Sequence, residues 1–173
     1  SETNATIIHA FDDSHVIAGQ GVIGLEIMEQ LPNVDEIYVP IGGGGLVAGI
    51  ITAVKEKNPQ VKIIGVESSA YPAMKKSLEN NTLETVSGDT TIADGISVKT
   101  PGKLTFDIVK QKIDKIVTVD DSDIINAMFL LMERSKAVVE PAGAVALAYL
   151  LKHKPESGKT VVPILCGGNI DMY

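Results

Sequence analysis

Five short runs rich in valine and isoleucine alternate along the chain with stretches of helical periodicity, and this alternation limits the possible fold more than any other feature. The runs lack the polar alternation of strands that face water, which indicates strands covered on both faces. Strands separated by helices are typical of an α/β protein with a mostly parallel sheet flanked by helices. The predicted strands cover residues 5–10, 36–41, 61–67, 115–119 and 160–166.

Helical patterns fill the intervals between these runs. The first predicted helix begins at Ser14 as its N-cap, and its glycines indicate close packing on the sheet. The third has Asp120 or Asp121 as its N-cap, and the fourth follows Pro141, which suits a first helical position. The predicted helices cover residues 14–31, 45–57, 122–136 and 142–151. The polar, turn-rich segment 80–102 is a long connection, a type that is usually functional or mobile.

The composition excludes several classes of partner. The chain has 173 residues, which predicts a single α/β unit over residues 1–173, and its net charge is −7. That charge disfavours nucleic acids and anionic membrane surfaces. The only cysteine, Cys166, cannot form an internal disulfide, which fits a reducing cytoplasm. We find no signal peptide and no run long enough to span a membrane.

The segment "VPIGGGGLVAG" follows a predicted strand and begins a predicted helix. Its four consecutive glycines, residues 42–45, exceed what a tight turn requires and place several backbone N–H groups at a helix N-terminus. Such a site binds anions through hydrogen bonds and the helix dipole, so the loop predicts a phosphate site. A Walker loop is excluded, because no Gly-Lys-Ser or Gly-Lys-Thr follows.

A dinucleotide site is an alternative for the same loop. Gly43, Gly45 and Ala48 match the pattern G-x-G-x-x-A, and Glu67 ends the next strand about 20 residues further on, where a ribose-binding acid belongs. Two other motifs argue against it. "CGGN" closes the last predicted strand, "VVEPAGAVA" places Glu140 just before a helix, and neither has an evident role in hydride transfer.

Five motifs in this order resemble the pyridoxal-phosphate-dependent serine/threonine dehydratases, which include threonine deaminases and serine racemase. They are "HVIAGQGVIGLEIMEQLP", "VPIGGGGLVAGI", "TIADGISVK", "VVEPAGAVALA" and "VPILCGGN". The resemblance covers essentially the whole chain. It implies the second half of the large domain of a fold type II (tryptophan synthase β-like) enzyme, with pyridoxal 5'-phosphate as cofactor.

The resemblance also assigns roles to particular residues. Cys166 would face the pyridine nitrogen, and as a weak proton donor it would leave that nitrogen largely unprotonated, which suits β-elimination. Gly95 would let the backbone lie against the cofactor ring, and Glu140 and Asn169 would lie near the cofactor. The cofactor phosphate would be held by Gly42, Gly43, Gly44 and Gly45.

Two features of the family are missing. The lysine that forms a Schiff base with the cofactor lies in an N-terminal Ser-Phe-Lys-type motif that this sequence lacks, so we expect no catalytic residue in this chain. Some relatives bind a divalent metal through the glutamate that aligns with Glu67. Here Ala73 replaces a further acidic ligand, so we expect no metal and a solvated Glu67.

The resemblance therefore implies a fragment of a threonine dehydratase, inactive alone, that starts within the domain and carries no regulatory domain. The intact enzyme would convert L-threonine, and more weakly L-serine, into a 2-oxo acid and ammonia. Its partners would be the missing N-terminal half and further copies of itself. The alternatives are a serine racemase or hydroxyaspartate dehydratase, an NAD-binding oxidoreductase half, and a non-catalytic module that binds a phosphate ligand.

Overall fold

One parallel sheet organises the computed structural model, which describes residues 6–170. Within that range the sheet has four strands in the order β3-β2-β1-β4. The strands are β1 (Glu36–Pro40), β2 (Lys62–Ser68), β3 (Lys115–Val119) and β4 (Val161–Pro163). At the centre of the sheet, Ile37 pairs with Ile63 on one side and with Val162 on the other. The predicted α/β class is confirmed, as are four of the five predicted strands.

The strand predicted over residues 5–10 is wrong for the part that the structure describes. Residues 6–10 form no strand, and residue 5 lies outside the described range. Ile7 and Ile8 are 90% and 69% exposed, so this apolar run finds neither a pairing strand nor a core. The last strand is shorter than the predicted 160–166. It ends at Pro163, which has no N–H to donate to the ladder.

Six α-helices flank the sheet within the described residues. They are α1 (Ser14–Gln30), α2 (Gly45–Lys57), α3 (Ala73–Glu79), α4 (Lys103–Lys112), α5 (Asp121–Leu130) and α6 (Pro141–Lys152). A 3-10 turn at Asp94–Ile96 interrupts the long connection, and a π-helical turn at Leu131–Ser135 follows α5. The prediction missed α3 and α4.

One predicted helix cap, Ser14, is wrong, and the other, Asp120, is correct in position only. The carboxylate of Asp13, not the side chain of Ser14, accepts the first N–H groups of α1, from His15 at 2.8 Å and Val16 at 3.2 Å. Asp120 occupies the N-cap position of α5, but its side chain makes no capping hydrogen bond. The Asp121 carboxylate accepts hydrogen bonds from the long connection at Thr91 and Ile92 instead.

Two of the three glycines of α1, Gly21 and Gly24, serve helix packing, but against α2 and not against the sheet as predicted. A Cβ on Gly24 would lie 3.0 Å from the carbonyl oxygen of Ile50, and one on Gly49 would lie 2.3 Å from that of Ile17. The two helix backbones therefore approach each other closely, and this contact fixes α2 on the face of the sheet where the glycine loop begins.

Apolar side chains cover both faces of the sheet. One buried cluster joins α2 to β1, with Ile37, Val39 and Ile50 at its centre, and a second joins α6 to β2 and β3. Because β1 and β4 are neighbouring parallel strands, the segments that follow them emerge side by side at one edge of the sheet. Ligands of open α/β sheets bind at this edge, which is formed by the carboxyl ends of the strands, so a ligand site is expected there.

Candidate functional site

The glycine loop turns directly from the end of β1 into the first turn of α2. Gly44 occupies the N-cap position with φ of 98°, a left-handed conformation that favours glycine. Gly45 begins the helix, and Gly43, Gly44 and Gly45 are all buried. The loop therefore places the N-terminus of α2 at the edge of the sheet, as the sequence predicts.

Packing explains why each position of the loop lacks a side chain. A Cβ on Gly43 would stand 2.3 Å from the ring of Phe11, and one on Gly45 would stand 3.0 Å from the Cα of Phe11. A Cβ on Gly42 would stand 3.0 Å from the Cα of Ile96. The requirement for glycine is thus partly structural, so the feature that indicates a ligand is the backbone N–H groups.

Those N–H groups have no protein partner among residues 6–170. Gly43, Gly44, Gly45 and Leu46 donate no backbone hydrogen bond within the described range, whereas Ala48 already donates to the Gly44 carbonyl at 2.9 Å. More than 90% of buried backbone N–H groups in native proteins are paired. A row of unpaired N–H groups at a helix N-terminus, three of them in buried residues, fits an anion, and the phosphate of pyridoxal 5'-phosphate meets that requirement.

A second loop closes the site after β4. The Glu140 carboxylate accepts the N–H of Asn169 at 2.9 Å, and the Glu140 N–H donates to the Gly167 carbonyl at 3.2 Å. Gly167 has φ of 77°, and a Cβ there would lie 2.2 Å from Glu140 Oε1. Residues Cys166-Gly167-Gly168-Asn169, called the closing loop below, are therefore held by hydrogen bonds to Glu140, the residue that precedes α6.

The 3-10 turn joins the two loops. Its Gly95 is exposed, and a Cβ there would meet Ala142 at 3.0 Å and Glu140 Oε1 at 3.4 Å. The next residue of the turn, Ile96, packs against Gly42 of the glycine loop. The structure thus brings the candidate residues from three separate motifs to one edge of the sheet, although the sequence alone does not show which of them touch.

The Cys166 thiol is free, half-buried and packed against the apolar cluster around β1. Burial raises the pKa of this thiol, and the nearby negative charge of Glu140 raises that pKa further. The sulfur is therefore a neutral S–H at neutral pH, which makes it a weak hydrogen-bond donor and not a nucleophile.

Glu67 is only 1% exposed, so the expectation of a solvated side chain is wrong. Its two carboxylate oxygens accept the N–H groups of Met74 at 2.8 Å and Lys75 at 2.9 Å, in the first turn of α3. Burial raises the pKa of Glu67 to about 7, although these two N–H groups oppose the rise. Both oxygens are engaged within the protein, which removes the ribose-binding acid that the dinucleotide alternative requires.

Three residues around the glycine loop could not be identified from sequence motifs. Phe11 covers the loop, Asp12 accepts N–H groups of α4 at Lys103, and Thr105 contacts the loop carbonyl of Gly43. Phe11 and Asp12 lie directly before α1, and no local pattern connects them with a loop some 30 residues later. None of the three residues lies within the five motifs that carry the resemblance to the dehydratases, so no signal in the sequence pointed to them.

A cavity of about 530 Å³ lies beside the closing loop and borders Asp94, Pro141 and Asn169. Its opposite wall is apolar, and there Phe129 and Met132 are 57% and 54% exposed. No group of three or more His, Cys, Asp or Glu side chains is placed to hold a metal ion in the described part of the chain. None of the described helices is long and apolar enough to cross a membrane.

Comparison with known proteins identifies related sequences. The family described as "Pyridoxal-phosphate dependent enzyme" matches residues 1–167. An L-threonine ammonia-lyase of Thermotoga maritima is 49% identical over 171 residues, which is 99% of this chain and 43% of that protein. The chain spans about half the length of the curated relatives it matches, from 43% to 51%.

Solved structures share the fold. A threonine deaminase of T.th. superposes with a TM-score of 0.94 at 40% identity, over 99% of this chain and 63% of that one. A maize serine racemase superposes with a TM-score of 0.93 at 37% identity, over 99% of this chain and 54% of that one. These matches confirm the predicted fold, that of one part of a fold type II enzyme of this kind.

Proposed function

The chain belongs to the pyridoxal-phosphate dependent enzymes, and from this premise we propose that it forms the phosphate- and ring-binding part of an L-threonine ammonia-lyase. The observation that carries the proposal is the row of N–H groups from Gly43 to Leu46, the first three of them in buried residues, that lack a partner within residues 6–170. A dianionic phosphate supplies the missing acceptors, and the dipole of α2 favours its charge.

The closing loop would contact the other end of the cofactor. We assign Cys166 to the pyridine nitrogen, because the raised pKa of its thiol keeps the sulfur neutral, so that it offers a weak hydrogen bond and no proton. Gly95, Glu140 and Asn169 would hold the loop and the 3-10 turn at the edge of the ring. When bound, pyridoxal phosphate supplies an electron sink for breaking bonds at the substrate Cα.

The complete protein would convert L-threonine into 2-oxobutanoate and ammonia. Support comes from the names of two similar proteins, an L-threonine ammonia-lyase at 49% identity and a threonine deaminase at 40% identity. Because this chain lacks the Ser-Phe-Lys-type motif, the lysine that carries the cofactor would come from the remaining length of the complete protein. We also propose that this protein is cytoplasmic and assembles as a homo-oligomer.

A serine racemase or L-serine dehydratase is the second candidate. It is favoured by the superposition on the maize serine racemase, whose TM-score of 0.93 nearly equals the 0.94 of the threonine deaminase. The phosphate site at the glycine loop and the closing loop would serve either reaction. The two candidates differ in the substrate that is consumed and in whether D-serine is formed.

Calorimetric titration of the chain tests the proposed phosphate site at the glycine loop. We expect saturable binding of pyridoxal 5'-phosphate, competition by inorganic phosphate, and binding at least tenfold weaker for pyridoxal, which lacks the phosphate. Gly44→Ala should abolish this difference, because its Cβ would meet Thr105 at 2.9 Å in a left-handed backbone. Gly19→Ala, at a helical glycine with open space around it, is the matched control. Equal binding of pyridoxal and its phosphate, or preferential binding of NAD, would overturn the proposal.

Turnover is tested by joining this chain to the N-terminal remainder of the Thermotoga maritima relative. Borohydride reduction in the presence of pyridoxal phosphate should attach the cofactor to one lysine of the added part and to no single lysine of this chain. The joined protein should release ammonia and 2-oxobutanoate from L-threonine in equal amounts. Formation of D-serine would favour the second candidate, and cofactor binding without any turnover would identify a non-catalytic module.

A further inference from the structure

The peptide bond between Gly43 and Gly44 is held in place from the side of α4. Thr105, which is fully buried, donates its hydroxyl hydrogen to the Gly43 carbonyl oxygen at 2.6 Å. The N–H of Gly102 donates to the same oxygen at 3.2 Å. The described chain contains no cis peptide, and a trans peptide points its carbonyl and its N–H to opposite sides. These two contacts therefore turn the Gly44 N–H away from α4.

The Thr105 hydroxyl has one proton and two carbonyl oxygens within reach. Its oxygen lies 2.6 Å from the Gly43 carbonyl and 3.1 Å from the Gly102 carbonyl, so the shorter contact with Gly43 takes the proton. Without this hydroxyl the Gly43 carbonyl would keep only the longer bond from the Gly102 N–H. Glycine residues on both sides of the peptide bond leave it free to rotate once that restraint is weakened.

Thr105 itself is positioned by Asp12. One carboxylate oxygen of Asp12 accepts the N–H groups of Leu104 at 2.8 Å and Thr105 at 3.2 Å, and the other accepts that of Lys103 at 3.0 Å. The first turn of α4 is thus capped by a residue about 90 positions earlier in the chain. A continuous path of hydrogen bonds runs from Asp12 through Thr105 to the glycine loop.

We propose that Thr105 is a positioning residue for the phosphate site, where it holds the Gly43–Gly44 peptide so that the Gly44 N–H faces the phosphate. Asp12 supports it by fixing the start of α4. This inference rests on the proposed function, since it assumes that the loop binds phosphate. A merely structural role for Thr105 would change stability but leave the phosphate affinity of the folded protein unchanged, whereas a positioning role would change that affinity.

Nitrogen-15 NMR of the Gly44 amide during a titration with inorganic phosphate, repeated with pyridoxal 5'-phosphate, tests the inference on the chain itself. In the wild type the Gly44 amide should shift with saturation. Thr105→Val removes the hydroxyl at nearly constant volume and should weaken binding about tenfold with a smaller Gly44 shift, whereas Thr105→Ser should restore both. Thr52→Val is the control, since Thr52 also bonds a backbone carbonyl, that of Ala48, within α2.

A second pair of variants covers the case in which Thr105→Val fails to fold. Asp12→Ala removes the cap of α4, and Asp13→Ala removes the equivalent cap of α1, so both should lose about 1 kcal/mol of stability. Only Asp12→Ala should weaken phosphate binding. Equal phosphate affinity in Asp12→Ala and Asp13→Ala, or unchanged affinity in folded Thr105→Val, would overturn the role of Thr105 but not the proposed function. Absence of any phosphate binding to the wild type would overturn the proposed function together with it.

Discussion

The backbone carbonyl of Cys166 lies directly against the Cα of Gly143, so close that a Cβ on Gly143 would stand 1.4 Å from that oxygen. Gly143 lies in the first turn of α6, and its N–H donates to the Glu140 carbonyl at 3.0 Å. The closing loop therefore rests on the start of α6, and the glycine in "EPAG" is needed for this contact.

Gly143→Ala should destabilise the protein by at least about 2 kcal/mol, because a backbone carbonyl cannot move aside as a flexible side chain can. Urea unfolding measures the loss. The matched control is Gly19→Ala in α1, where nothing lies within 4 Å of the added methyl group. That variant should gain up to about 1 kcal/mol from helix propensity. A Gly143→Ala protein as stable as the wild type would show that the loop does not pack as described.

Elements with local signals were predicted well from the sequence. The bounds of β3 and α2 agree with the prediction, and α6 begins at Pro141 as expected for a first helical position. The two helices that were missed are capped by side chains that lie outside them, elsewhere in the fold. α3 is capped by Glu67 in the preceding strand, and α4 is capped by Asp12. Periodicity within a short window cannot detect such partners.

The same distinction between local signals and contacts made by tertiary packing applies to the candidate site. Strand, glycine run and helix are adjacent in sequence, so an anion-binding turn after β1 could be predicted from local chemistry. The cover that Phe11 places over Gly43, and the contact of Gly95 with Glu140, join segments far apart in the chain. Only tertiary packing determines these contacts, and motif order alone gave no indication of them.

Glu67 should make the stability depend on pH. Its pKa rises from an ordinary value of 4.5 to about 7 in the folded protein, so folding favours the protonated form. The stabilisation is therefore complete below about pH 4.5 and is lost as the pH rises through about 7, by up to about 3 kcal/mol. Glu67→Gln, which carries no charge at any pH, should lack this contribution.

Urea unfolding at pH 5 and pH 8 measures the difference for the wild type and for each variant. The control is Glu26→Gln, which changes an exposed carboxylate on α1 that is not among the groups acting on the pKa of Glu67, and it should keep the wild-type pH dependence. If Glu67→Gln showed the same loss between the two pH values as the wild type, Glu67 would not be the titrating group.

Glu140 should control the opening of the closing loop. Removing its carboxylate by Glu140→Ala deletes the acceptor for the Asn169 N–H, so exchange of that amide with deuterium should accelerate about tenfold. Glu140→Gln keeps an acceptor oxygen and should lie between the alanine variant and the wild type. Glu133→Ala, on the exposed π-helical turn, is the control and should leave the Asn169 exchange rate unchanged.

Phe11 and Gly43 should show strong energetic coupling. Gly43→Ala places a methyl group 2.3 Å from the aromatic ring and should cost about 2 kcal/mol of unfolding free energy in the wild type. In a Phe11→Ala background the ring is gone, so the same substitution should cost much less. A double-mutant cycle measured by urea unfolding gives the coupling energy, which we expect to exceed about 1 kcal/mol. Additive effects of the two substitutions would mean that Phe11 does not cover the loop in solution.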